Sequence, residues 1–261
     1  MQENLVYDLE YCPKQIYGKA NGEFWLREKK IKLEVSMKKP INVGLMIPVN
    51  NTTMEREILA WLPPGSNCTT VKIPRGKGLL TPETLPDYVS QAVSLAETFS
   101  QGKMIDVVAY GCTAASFLAG PEGDAALTRK IVKASGRSTV TTAHSMLVAL
   151  KALQARNIAV VTPYSEAVNA RLANFLASEQ INIRRLSSFN AASVDELGQI
   201  DSSAVAERAK TVMGQDCDAL FIACSQLPTF DIIEPLQQAF QKPVLSSIQV
   251  TAQQALRAAA I

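Results

Sequence analysis

The 261 residues, 47% of them hydrophobic, suffice for one large α/β domain or two small lobes with a substantial core. The formal charge of +2, with basic clusters only at Arg27 to Lys32 and Lys38-Lys39, lacks the dense positive stripe of a nucleic-acid binder. No run approaches the roughly 18 to 20 apolar residues of a membrane helix and the N-terminus lacks the apolar core of a signal peptide, so a soluble, cytoplasmic protein is expected.

Residues 1–36 are polar, carry Pro13 and Gly18, and show no sustained periodicity until Lys30 to Val35. They read as an N-terminal extension outside the core, with an edge hairpin or dimerising arm as the alternative. Met37-Lys38-Lys39-Pro40 then leads into the first strong strand, as a natural N-terminus would. Short β-branched runs alternate with longer helical patterns from there on, the signature of parallel strands with crossover helices. Strands are expected at 41–47, 68–73, 105–110, 138–141, 157–162, 182–187, 218–223 and 243–246. Helices are expected near 52–60, 82–101, 122–135, 143–155, 164–179, 201–215, 230–240 and 248–259. The pattern predicts an α/β fold of two pseudo-symmetric flavodoxin-like lobes, 41–155 and 156–261, each a parallel sheet covered by helices.

An internal echo supports the two lobes. Ile105-Asp106-Val107-Val108-Ala109-Tyr110-Gly111-Cys112-Thr113 resembles Cys217-Asp218-Ala219-Leu220-Phe221-Ile222-Ala223-Cys224-Ser225. In each, an aspartate leads an apolar run that stops at a small residue, a cysteine and a hydroxyl residue. Ligands of such sheets bind outside the carboxyl ends of the strands. Both cysteines fall at those ends, so one site with a thiol on either side is expected. Each thiol should meet the free N–H groups of a following helix, a setting that lowers a thiol pKa and also binds carboxylates. The five cysteines lack close C-x-x-C pairing and are expected to be reduced thiols.

Asn51, followed by Thr52-Thr53-Met54-Glu55, offers neutral donors after the first strand; the plainer reading is a helix cap at Thr52 or Thr53. Tyr164 takes the corresponding place in the second half, and Asn190 follows the sixth strand. His144, the sole histidine, reads as structural. Arg75-Gly76-Lys77-Gly78 lacks the remaining parts of a phosphate loop and reads as a mobile loop or lid. With no dinucleotide fingerprint, phosphate loop or clustered metal-ligand motif, cofactor-free and metal-free chemistry by thiols fits the residues.

These motifs resemble the aspartate/glutamate racemase superfamily, and within it the branch of maleate cis–trans isomerases and arylmalonate decarboxylases. The carrying segments are Pro48-Val49-Asn50-Asn51-Thr52-Thr53-Met54-Glu55, Tyr110-Gly111-Cys112-Thr113-Ala114-Ala115-Ser116, Val161-Thr162-Pro163-Tyr164 and Ala223-Cys224-Ser225-Gln226-Leu227-Pro228. The resemblance implies Cys112 as the nucleophile that adds to a double bond and Cys224 as the acid/base on the opposite face. It implies Asn51, Tyr164 and Asn190 as carboxylate-binding positions, with Thr113 and Ser225 contributing backbone N–H groups.

The expected activity is cofactor-independent cis–trans isomerisation of maleate or a similar small dicarboxylate. A two-cysteine racemase of aspartate, glutamate or a related compound is the first alternative. An arylmalonate-type decarboxylase is the second, although decarboxylases of the branch keep glycine where Cys112 stands. A binding protein without turnover is a reading from another class. The expected partner is a small carboxylate, with no nucleic acid and no membrane, in a homo-oligomer such as a homodimer.

Overall fold

The computed structural model describes residues 17–20, 23–26, 29–31, 39–75, 78–100 and 104–260. Most of the segment read as an extension, and Gly76-Lys77 in the loop read as a lid, lie outside the described residues. Within that segment β1 (Tyr17–Ala20), β2 (Glu23–Leu26) and β3 (Lys29–Ile31) form an antiparallel sheet.

Two four-stranded parallel sheets come next, each covered by helices. The first contains β4 (Asn42–Pro48), β5 (Asn67–Ile73), β6 (Val107–Tyr110) and β7 (Thr139–Thr141), in the order β5-β4-β6-β7. The second contains β8 (Asn157–Thr162), β9 (Asn182–Ser188), β10 (Ala219–Ile222) and β11 (Val244–Ser246), in the equivalent order β9-β8-β10-β11. The first half contains helices α1 (Met54–Trp61), α2 (Leu85–Ala96), α3 (Thr113–Phe117), α4 (Gly120–Ser135) and α5 (Thr142–Ala152). The second contains α6 (Glu166–Ala177), α7 (Val194–Gly198), α8 (Ser202–Val212), α9 (Phe230–Phe240) and α10 (Ser247–Ala259).

The eight strands fall where the apolar runs place them, because β4, β6, β8 and β10 are covered on both faces and need near-continuous apolar side chains. The outer strands β5 and β9 carry Lys72, Arg184 and Arg185 instead, which suits exposed edges. The helix expected at 82–101 ends at Ala96 and continues as a 3-10 turn over Glu97–Ser100.

The Asp-led repeat has a direct cause. Asp106 Oδ2 accepts the Asn42 N–H at 2.7 Å, and Asp218 Oδ2 accepts the Asn157 N–H at 2.7 Å. Each aspartate thus fastens a central strand to the start of its neighbour. One exchange crosses the division at residue 155: α10 packs against α1, α5, β6 and β7, so the last helix covers the first sheet. Among the described residues no helix is long and apolar enough to cross a membrane.

Candidate active site

In each sheet the chain order reverses between its two central strands, β4 and β6 in one, β8 and β10 in the other. Crevices form at such switch points. The four loops that leave these strands carry Asn51, Cys112, Tyr164 and Cys224, and all four residues line one cleft of about 100 Å³. Thr113 and Ser225 line it as well. That size suits a small metabolite rather than a dinucleotide.

Asn51 is buried and heavily engaged. Its Oδ1 accepts the N–H groups of Thr53 at 3.0 Å and Met54 at 2.9 Å, so Asn51, rather than Thr52 or Thr53, supplies the side-chain cap of α1. Its Nδ2 donates to Ser225 Oγ at 3.1 Å, and Ser225 Oγ donates to Gly111 O at 2.6 Å. Gln226 completes this clasp: its Oε1 accepts the Thr52 N–H and its Nε2 donates to Thr52 Oγ1, both at 3.0 Å. The loop of the second cysteine is therefore tied to the first half by amides and hydroxyls, which fixes the separation of the two thiols.

Cys112 ends β6 and leads directly into α3. Thr113 opens that helix, so its N–H has no intrahelical acceptor, and its Oγ1 donates to Ser247 Oγ at 3.2 Å. Gly111 precedes the cysteine because a Cβ there would collide with Met54 Sδ and Ile47 Cγ2. Cys224 is held differently. No helix begins until α9, and the Gln226 N–H of an intervening turn lies 3.4 Å from Cys224 Sγ. The Cys224 N–H donates to Ser247 Oγ at 3.1 Å.

The expectation of lowered thiol pKa values is overturned. Burial pushes the Cys112 thiol up, although the Ala115 N–H, the Arg75 charge and the Tyr88 hydroxyl pull it back. Burial pushes Cys224 up to about 11 against the Gln226 N–H, and the charge of Cys112 adds to the rise. Desolvation of a thiolate outweighs a few N–H dipoles when both thiols are covered. Arg75 favours ionisation at Cys112, whereas ionisation of Cys112 opposes that of Cys224. The two thiols therefore oppose ionising together, and the cation favours the first.

Tyr164 lies between the halves. Its ring meets Phe117 edge-on with centroids 5.6 Å apart, and its buried hydroxyl, beside Cys224 and Thr113, has no well-formed hydrogen bond among the described residues. Such a donor is available to a ligand oxygen.

One site residue lies elsewhere than expected, and one residue not named for the site joins it. Asn190 is exposed, takes φ 50°, donates its N–H to Ser188 Oγ at 3.0 Å, and does not line the cleft. The next residue is drawn inward instead, with the Ala191 N–H donating to Pro163 O at 3.0 Å, and Val194 and Leu197 of α7 reach the cleft. A capping signal announces that short helix: Ser193 Oγ accepts the Glu196 N–H at 3.1 Å, and Glu196 Oε2 accepts the Ala192 N–H at 2.8 Å. Arg75, read only as part of a loop, lines the cleft beside Cys112. Leu79, Leu80 and Val168 supply further apolar wall. His144 lies on α5 away from the cleft, where its N–H donates to the capping Thr141 Oγ1.

The arylmalonate decarboxylase family model matches residues 44–261. A maleate isomerase of Nocardia farcinica (strain IFM 10152) is 26% identical over 223 residues, covering 82% of this chain and 88% of that protein. An arylmalonate decarboxylase of Bordetella bronchiseptica is 30% identical over 174 residues, covering 66% of this chain and 72% of that protein. Among solved structures, a Nocardia farcinica maleate cis–trans isomerase variant with a covalently bound succinylcysteine intermediate is similar with a TM-score of 0.75 at 24% identity. That match covers 85% of this chain and 94% of the other.

Proposed function

This chain belongs to the arylmalonate decarboxylase family, and from that premise we propose that it is a cofactor-independent cis–trans isomerase of maleate or a similarly small cis-dicarboxylate. The observation that carries this reading is a pair of buried thiols in one cleft, with a cation acting on only the first. In this reading Cys112, with the Arg75 charge favouring its ionisation, acts as the thiolate, and Cys224 carries the proton.

The Cys112 thiolate adds to one alkene carbon of the substrate. The π electrons move to the neighbouring carbon, which takes the proton of Cys224. The former double bond is then single and rotates. Cys224, now a thiolate, removes a proton from the same carbon, the electron pair reforms the double bond, and the C–S bond breaks to regenerate the Cys112 thiolate. Electrons and protons balance without a cofactor. The Thr113 N–H, the Tyr164 hydroxyl and the Asn51 amide are neutral donors for the carboxylate next to the carbon that carries negative charge in the transition state. The succinylcysteine of the Nocardia isomerase is the adduct that these steps predict for Cys112.

A second reading rests on the wall of Leu79, Leu80, Val168, Val194 and Leu197, which favours a substrate with an apolar substituent, as an arylmalonate has. A proton NMR time course of the reduced protein with maleate, and separately with phenylmalonate, distinguishes the two. Fumarate that appears with the wild type but not with Cys112→Ser or Cys224→Ser supports the isomerase; carbon dioxide loss from phenylmalonate with maleate untouched replaces it with the decarboxylase.

A further inference from the structure

We propose that Arg75 is the specificity-determining residue that holds a second carboxylate of the substrate, and so selects dicarboxylates over monocarboxylates. The proposal rests on the dicarboxylate reading and adds to it the residue that makes the selection.

Around the cysteines the donors are neutral: the Asn51 amide, the Tyr164 hydroxyl and backbone N–H groups. They suffice for one carboxylate. Asn190, the amide implied for another, is exposed and does not line the cleft, and the segment after it brings Val194 and Leu197 there instead. Among the described lining residues Arg75 is the only Lys or Arg.

Its guanidinium is partly committed and partly open. Nη2 donates to Gly78 O at 2.8 Å, which holds the fork in place. Nε is buried with no hydrogen-bond partner among the described residues. A buried N–H donor of a cation left unpaired is costly, and an anionic ligand would relieve that cost. Asp87 borders a neighbouring cavity together with Arg75, yet no ion pair joins the two. The planar fork suits a carboxylate, and its several donors allow it to keep hold of an oxygen while the adduct rotates about its central bond. The influence of Arg75 on Cys112 is consistent with this position, since the same charge can favour the thiolate and attract the substrate's far end.

The test compares succinate with butyrate, two unreactive acids of equal chain length that differ by one carboxylate. Calorimetric titration of the wild type should give succinate an affinity at least about tenfold greater than butyrate. Arg75→Gln should reduce that gap to about twofold or less, with the change confined mainly to succinate. Arg75→Lys, which keeps the charge but loses the fork, should fall between them. Arg75→Met, which retains the aliphatic stem, replaces the glutamine variant if that one does not fold, as judged by circular dichroism. An unchanged gap in the folded neutral variant, or no gap in the wild type, overturns the assignment. A gap that depends on Arg75 in a protein that leaves maleate unchanged sinks the isomerase reading alone; maleate turnover without a gap sinks the Arg75 assignment alone.

Discussion

The Cys112 and Cys224 loops leave equivalent strands, β6 and β10, but differ in the backbone just beyond the cysteine. Cys112 runs straight into α3 with Arg75 and Tyr88 beside it, so its surroundings act on charge. Cys224, at φ 157°, enters a turn whose side chains reach across to the other half. Donors act on both thiols and both loops bond to the other half, but a cation stands beside the first thiol alone and the second loop makes more of the bonds across. Similar sequences can thus present the same thiol in unlike surroundings.

The comparison breaks first at the thiols themselves. Cys112→Ser and Cys224→Ser should each lower maleate turnover by about 10³-fold or more. Only Cys224→Ser should accumulate a protein–substrate adduct, read by intact-protein mass spectrometry, because water can supply the proton that completes addition, whereas elimination needs the base at Cys224. Adduct in the Cys112→Ser protein instead would reverse the two roles.

The attachment side is tested at Glu57. This buried carboxylate on α1 accepts the Thr229 N–H at 2.9 Å, the Thr229 hydroxyl at 3.0 Å and the Phe230 N–H at 3.1 Å, capping α9 of the other half. Burial raises its pKa, and those donors oppose the rise. Glu57→Ala leaves several donors unsatisfied and should destabilise the protein by about 3 kcal/mol, seen as a denaturant midpoint lowered at unchanged slope. A loss under about 1 kcal/mol would mean that the halves are held mainly by other contacts.

A smaller effect separates the residues that precede the cysteines. Gly111→Ala forces a methyl into Met54 and Ile47 and should cost about 2 kcal/mol. Ala223→Gly only removes a buried methyl and loosens the backbone, for about 1 kcal/mol. Equal costs in denaturant titrations would show that Met54 moves aside.

The smallest effect is one of pH. Burial raises the Asp124 carboxyl to about 7, against a hydrogen bond from Thr141 Oγ1 at 2.8 Å, while its Oδ1 has no partner among the described residues. The folded state holds this proton more tightly than the unfolded chain does. The stability it contributes is complete below the unfolded value and is lost as pH rises through about 7. Asp124→Asn should flatten that fall in urea midpoints taken between pH 5 and 8; an undiminished slope would assign it to other groups.

Much of this was legible because it is local. A strand covered on both faces must be an apolar run, so the four central strands and the cysteines that follow two of them could be read from the sequence. The Asp-led repeat was visible too, since each aspartate serves the same junction in its own half. The capping role of Asn51 was hidden, because Asn51, Thr52 and Thr53 are all competent caps and the choice depends on Ser225 from 174 residues away. Asn190 looked as suitable as any amide, yet it lies exposed, at φ 50°, outside the lining of the cleft.

The sequence by itself determined two parallel sheets, their central strands and a thiol at the end of one strand in each, because side-chain burial repeats with the period of the element. Only the tertiary structure decided that α10 covers the opposite sheet, that Arg75 enters the cleft and Asn190 does not, and that both thiols are raised rather than lowered. Those outcomes depend on desolvation and on partners distant in the chain, and neither quantity has a local pattern to read.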